Sequence, residues 1–184
     1  MAARLLAGLL LATVPAGGLP PDVRVLLMVK VLAYHRALPQ RAGPTVEIGV
    51  TWRPGDPQSE AEAQATLEAL AALASRLTLV NRPFRGVPLA FRSAEALEEV
   101  AVRQRVVALY VCTGLEDDVT ALSSVARRLS IATFTGSREL VRGGLGVALS
   151  ERRGKPGLSV NLAAARAESV AYDAELLRVA EIIR

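Results

Sequence analysis

The sequence is poor in the side chains that usually carry catalysis and metal binding. Its 184 residues include one cysteine, Cys112, and one histidine, His35. One cysteine cannot form an internal disulfide, so the fold has to be stabilised by its core rather than by cross-links. A metal site would have to be built from carboxylates, because His35 and Cys112 exhaust the softer ligands. We therefore expect neither a metal nor a disulfide framework.

Aromatic side chains make up only 4% of the chain, and the net charge of +4 comes from arginines scattered among acidic residues. Nucleic-acid binding requires a concentrated basic face or stacking aromatics. The densest basic cluster, 152–155, falls in an expected hairpin turn, where a solvated turn is the simpler interpretation. We predict no nucleic-acid partner.

The common catalytic and cofactor motifs are also missing. Gly154-Lys155 lacks the earlier glycine of a phosphate loop, and the glycines at 143–146 precede a strand, whereas a dinucleotide motif follows one. No Gly-x-Ser-x-Gly elbow is present. The acidic cluster at 116–118 is expected to be a solvated helix start. We predict no catalytic residue and no cofactor; a hydrolase that uses Cys112 or an acidic pair is the least favoured alternative.

The N-terminus has the pattern of an export signal. Arg4 precedes an apolar run of ten residues at 5–14, and small residues follow at 16–18. Such a run suits a signal peptide and is shorter than the roughly 20 residues of a membrane-spanning helix. We predict a cleaved signal peptide at 1–18, a single domain at 19–184 and a periplasmic location. The alternative is a buried N-terminal helix.

The rest of the chain alternates between strand and helix patterns. This alternation predicts an α/β domain with a largely parallel sheet flanked by helices, ending in a strand hairpin and a terminal helix. Pro88 indicates an edge strand or the start of a strand, and the continuous apolar run at 106–112 indicates a strand buried on both faces. The predicted strands are 46–50, 87–91, 106–112, 130–134, 145–150 and 158–162, and the helices 21–38, 59–77, 94–102, 119–128 and 163–183.

A ligand site in such a sheet is expected beyond the carboxyl ends of the strands. The residues that follow those ends include Trp52, Thr113 and Thr135, so these could line a crevice for a small ligand. Trp52 could equally cover the end of the sheet. Glu60 and Glu62 are predicted to be ordinary charges on the surface of the helix at 59–77.

The last third of the chain has a distinctive order of turns and strands. A strand at 130–134 and Ser137 precede a glycine pair, and a charged hairpin then leads to a strand that ends in Asn. The final segment carries a Leu-Leu pair followed by Ala. These positions, which we interpret as structural, are Gly143, Gly144, Asn161, Leu176, Leu177 and Ala180. Together with the signal peptide, the helix at 21–38 and the strand at 46–50, they make nearly the whole mature chain resemble the YfiR/HmsC-like family of exported bacterial proteins.

The resemblance implies an α/β fold and a non-enzymatic periplasmic regulator. It further implies a membrane-bound sensor or diguanylate cyclase as partner, contacted through its periplasmic region, with lower cyclic di-GMP and less biofilm as the result. The docking patch is expected on the first helix, at Val25 and Leu32, or on the terminal helix. The cysteine pairs associated with redox sensitivity in the known regulator are absent, and homodimerisation is left open. The alternative is a periplasmic small-ligand binding protein.

Overall fold

The N-terminal part of the fold is a helix that precedes the first strand. The computed structural model describes residues 18–152 and 154–183, so the predicted signal peptide lies outside the described residues except at position 18. Helix α1 (Pro21–Ala33) begins with a proline in its first turn, where the missing N–H costs nothing. It ends before the predicted Leu38, where a separate short helix, α2 (Leu38–Arg41), begins.

Side-chain caps fix the start of four of the later helices. The oxygens of Asp56, Ser93, Ser137 and Asn161 accept backbone N–H groups at the starts of the helices that begin one residue later in each case. The helices are α3 (Pro57–Ala74), α4 (Ala94–Gln104), α5 (Val119–Leu129), α6 (Arg138–Arg142), α7 (Leu162–Ala167) and α8 (Ala174–Val179). The strands are β1 (Val46–Trp52), β2 (Phe84–Ala90), β3 (Val106–Val111), β4 (Ala132–Thr135), β5 (Val147–Arg152), β6 (Lys155–Asn161) and β7 (Glu181–Ile183).

The seven strands of the described residues form one sheet in the order β2-β1-β3-β4-β5-β6-β7. Neighbours from β2 to β5 are parallel, β5 and β6 form the antiparallel hairpin, and β7 runs parallel to β6. This confirms the predicted α/β class with a largely parallel sheet. β2 contains Pro88 and lies at the edge of the sheet, also as predicted.

Helices cover both faces of the sheet, and each face has its own apolar core. Met28 of α1, Leu70 of α3 and Leu176 of α8 belong to one core. Leu97 of α4 and Leu122 of α5 belong to the other. All six residues of β3 are buried, as expected for a central strand covered on both sides.

The predicted terminal helix at 163–183 is wrong. The segment forms α7, a turn, α8 and the edge strand β7. Helix α7 stops because Ser169 takes a left-handed conformation with φ 58°, next to Glu168, whose side chain is buried. Ile182 and Ile183 then pair with β6. No helix in the described part of the chain is long and apolar enough to cross a bilayer.

Candidate functional site

The carboxyl edge of the parallel strands is occupied by a buried polar cluster centred on Glu62 of α3. One carboxylate oxygen of Glu62 accepts from Arg24 Nη1 at 2.8 Å and from the Tyr110 hydroxyl at 2.6 Å. The other accepts from the backbone N–H and the hydroxyl of Thr113 at 2.8 and 2.9 Å. We call Arg24, Glu62, Tyr110 and Thr113 the Glu62 network.

The Glu62 network is almost completely shielded from water. The side chains of Arg24 and Glu62 are 12% and 11% exposed, and the guanidinium carbon of Arg24 lies 5.3 Å from the centre of the Tyr110 ring. Burial, together with the nearby Glu62 carboxylate, raises the pKa of Tyr110 well above its ordinary value. Both oxygens of Glu62 accept hydrogen bonds from within the protein, although Arg24 Nε is buried without a partner among the described residues. This edge of the sheet is therefore filled by the protein itself.

Of the three residues predicted to line a crevice, only Thr113 joins this network. Thr135 is fully buried, and its hydroxyl oxygen accepts the backbone N–H of Ser137 at 3.1 Å. Trp52 is half-buried against the core, and its carbonyl accepts the N–H of Phe91 at 2.9 Å. These side chains are therefore used for packing and internal hydrogen bonds rather than grouped around an open cavity.

Asp118 of the acidic cluster at 116–118 and Cys112 are likewise engaged within the fold, whereas Glu116 and Asp117 are exposed, as expected of a solvated helix start. Asp118 accepts from Arg53 Nη2 at 2.5 Å. Cys112 is buried, and this burial raises the pKa of its thiol, which disfavours the nucleophilic thiolate. Within residues 18–152 and 154–183, no group of three or more histidine, cysteine, aspartate or glutamate side chains could hold a metal ion.

The predicted docking residues on α1 face the wrong way. Val25 and Leu32 are 1% and 0% exposed, because they share with Met28 and Val29 the stripe of α1 that packs into the core. They cannot form an exposed patch, so this part of the prediction is corrected. The exposed large apolar side chain near the C-terminal end of α1 is instead Tyr34.

An open groove lies between α1, the β5–β6 hairpin and α8, with a volume of about 360 Å³. We call it the hairpin groove. At its rim, Tyr34 is 37% exposed and Val179 is 76% exposed. Its aliphatic walls come from three separate elements and consist of Leu27, Val31, Leu149, Leu158, Leu176 and Val179.

Among the described residues, the charged side chains that line the hairpin groove are Lys30 and Arg152, and both are cationic. Arg152 Nε lies 3.4 Å from a carboxylate oxygen of Glu181, whose other oxygen already accepts from Arg138 at 2.6 Å. In the described part of the chain, Lys30 forms no ion pair. The groove therefore combines apolar walls with a positively charged rim.

The residues interpreted as structural family positions lie around the hairpin and the final helix. Gly143 and Gly144 form the turn after α6, and Gly144 has φ 122°, which favours glycine. Asn161 caps α7 with its side-chain oxygen and donates its amide N–H to the carbonyl of Val141 at 3.0 Å. Leu176 lines the hairpin groove, and Leu177 packs partly buried against the core.

Sequence reasoning missed the role of Glu62, which was expected to be a surface charge. A signal for it exists in the spacing of α3. Ser59, Ala63, Thr66 and Leu70 are all buried at intervals of three or four residues, and Glu62 falls on this same stripe. A carboxylate on the inward stripe of a helix requires donors, and Arg24 on α1 supplies one.

The sequence model of the YfiR/HmsC-like family matches residues 27–181. Because this match covers most of the chain, the protein belongs to the YfiR/HmsC-like family. It includes α1 from Leu27 onward, the hairpin and α8, which are the three elements around the hairpin groove. A search of curated proteins found no match.

Solved structures support the fold at low sequence identity. A conserved domain protein from Vibrio cholerae aligns with a TM-score of 0.66 and 13% identity, over 90% of this chain and 60% of that one. An ABC domain in complex with L-Trp from Streptococcus pneumoniae gives a TM-score of 0.63 at 12% identity, over 89% and 60% of the two chains. A ligand-free, open substrate-binding protein with adhesive properties from Clostridium difficile aligns with a TM-score of 0.57 and 14% identity, over 80% of this chain and 57% of that one. This chain therefore spans about 60% of the length of the first two structures.

Proposed function

We propose that this protein is an exported, non-enzymatic regulator that docks on the periplasmic part of a membrane signalling protein. Its partner is a membrane-bound sensor or diguanylate cyclase, and docking lowers cyclic di-GMP signalling. Membership in the YfiR/HmsC-like family supports a regulatory role in general terms. The partner, the periplasmic location and the effect on cyclic di-GMP belong to the proposal.

The observation that carries the proposal is the exposed apolar rim of the hairpin groove. A valine that is three-quarters exposed and a partly exposed tyrosine flank an aliphatic cleft. Apolar surface of this kind, bordered by charged side chains, is characteristic of protein interaction sites. Tyrosine is also among the residues that most often dominate binding energy at interfaces.

The proposal is tested by placing a charge on the rim in the native host. Deleting the gene should raise cyclic di-GMP, and the wild-type gene should restore the lower level. Val179→Glu should fail to restore it, because a carboxylate on the apolar rim must lose its water when a partner covers it. A photo-crosslinking side chain at position 179 should capture a membrane protein that carries a cyclase or sensor domain.

The matched control is Val102→Glu on α4. Val102 is also an exposed valine, but it lies on the other face of the sheet from the hairpin groove. This variant should restore the low cyclic di-GMP level as well as the wild type does. If Val179→Glu and Val102→Glu behave alike at equal protein levels, the docking proposal fails.

The alternative of a small-ligand protein with its site at the strand ends has less support. The Glu62 network uses the donors and acceptors that such a ligand would need. The likeness to substrate-binding structures is at 14% identity or less and concerns the fold.

A further inference from the structure

The geometry points to the hairpin groove as a binding site for a free long-chain fatty acid, whose carboxylate pairs with Lys30 and whose tail fills the aliphatic cleft. Such a ligand, once bound, would cover the proposed docking face. That regulatory consequence rests on the proposed function, whereas the binding itself does not.

The size and walls of the groove fit an aliphatic tail. A volume of about 360 Å³ lies within the range of small-molecule sites, roughly 300–1,000 Å³, and such sites are lined mainly by apolar side chains. The floor consists of leucine and valine side chains from α1, the hairpin and α8. Tyr34 is the single aromatic among these lining residues, so the cleft offers little to stack a planar ring and much to surround a methylene chain.

The charge of the rim selects the head group. Lys30 and Arg152 are the charged residues that line the cleft, and no acidic residue of the described ranges lines it. Arg152 lies near Glu181, although that carboxylate is closer to Arg138. Lys30, by contrast, forms no ion pair in the described part of the chain, so its charge is available to a ligand. An anionic head is therefore favoured over a neutral or cationic one.

The groove is also open at the end where Lys30 lies. A second cavity, of about 400 Å³, is lined by Lys30, Ala33 and Tyr34. Lys30 and Tyr34 thus border both spaces, and the ammonium group of Lys30 stands beside solvent. This arrangement lets a carboxylate keep part of its hydration while its tail is buried, which avoids the cost of a fully buried charge.

The test measures binding of defined amphiphiles to the purified protein by isothermal titration calorimetry, below their critical micelle concentrations. Saturated fatty acids of increasing length should bind progressively tighter, by roughly threefold to fourfold per methylene until the cleft is full. At equal chain length the carboxylate should bind tighter than the primary alcohol, and the alcohol tighter than the trimethylammonium compound. Absence of binding at every length, or equal affinity for the three head groups, overturns the inference.

Two exposed variants connect the binding to the groove. Lys30→Glu should weaken binding of the carboxylate by roughly fivefold to tenfold and leave the alcohol unchanged. Its control is Lys155→Glu, which makes the same change of charge on an exposed lysine that does not line the groove. Val179→Glu should weaken binding of the amphiphiles at every tail length, and Val102→Glu should weaken binding at none. If each variant and its control give the same affinities, the ligand binds elsewhere and the inference is overturned.

The two proposals fail in distinguishable ways. If the protein restores low cyclic di-GMP but binds no fatty acid, only the inference of a ligand site is contradicted. If the protein binds dodecanoate through Lys30 but crosslinks to no membrane protein, only the proposed docking function is contradicted. If both hold, adding dodecanoate to membranes should reduce the crosslink from position 179, and the Lys30→Glu variant should resist that reduction.

Discussion

The Glu62 network and the hairpin groove lie at the two ends of one row of side chains on α1. Arg24, one turn into α1, is buried in an ion pair, whereas Lys30 and Tyr34, further along the same helix, border open space. The first region pairs its polar groups internally except for Arg24 Nε, which has no hydrogen-bond partner among the described residues, and the second leaves apolar surface uncovered. The difference indicates that the strand ends, where ligands usually bind in such folds, contribute stability here, in keeping with the proposal that docking uses the hairpin groove instead.

The sharpest test of this contrast removes the centre of the sealed region. Glu62→Ala should lower the free energy of unfolding by about 3–5 kcal/mol, because it leaves the Arg24 guanidinium buried without its partner and removes the acceptor of Tyr110 and Thr113. Urea unfolding followed by circular dichroism measures the change. The exposed Glu68→Ala on the same helix is the control and should stay within about 0.5 kcal/mol of the wild type. Equal effects of the two substitutions would mean that the network is not structural.

A buried carboxylate at the other edge of the sheet extends the comparison to pH. Glu168 accepts from the hydroxyl and backbone N–H of Thr133 but has no ion-pair partner among the described residues. Burial raises the pKa of Glu168 from 4.5 to about 7. Between these two values the unfolded chain loses the proton before the folded chain does, so the free energy of unfolding falls as the pH rises, by up to about 3 kcal/mol, and levels off above pH 7.

The Glu168→Gln variant isolates this effect from the other titrating groups. It should remove the downward slope between pH 4.5 and 7 and unfold at a higher urea concentration than the wild type above pH 7. The difference between the two unfolding curves across pH is the measured quantity. A wild-type protein and a Glu168→Gln variant with parallel pH profiles would contradict the assignment.

Gly136 provides a milder way to disturb the sealed region. A Cβ atom at this position would lie 3.0 Å from Arg24 Nη1 and 3.2 Å from the Tyr110 hydroxyl. Gly136→Ala should therefore cost about 1–2 kcal/mol of unfolding free energy through crowding. Gly43→Ala is the control, since its Cβ would meet only a backbone oxygen at 3.7 Å. If Gly136→Ala left the free energy of unfolding unchanged, the Glu62 network would have to shift at little cost to accommodate the added methyl group.

The sequence was sufficient for the fold class, because alternating strands and helices leave few arrangements of a parallel sheet. It failed at the C-terminus, where the apolar pattern of 163–183 suits a helix. The left-handed Ser169 and the pairing of Ile182 with Val160 depend on tertiary contacts that no local pattern records. The groove was missed for the same reason. Its walls come from α1, the hairpin and α8, and only the folded chain shows that Val25 faces inward and Val179 outward.

The smallest expected change in stability lies at the open region. Val179→Ser should alter the free energy of unfolding by less than about 0.5 kcal/mol, because the side chain is 76% exposed and leaves no cavity when shortened. The same substitution should weaken dodecanoate binding, since it removes apolar surface from the rim. Chemical denaturation and calorimetry on one preparation give both quantities. A stability loss comparable to that of Gly136→Ala would mean that Val179 belongs to the core, and the distinction between a sealed and an open region would no longer hold.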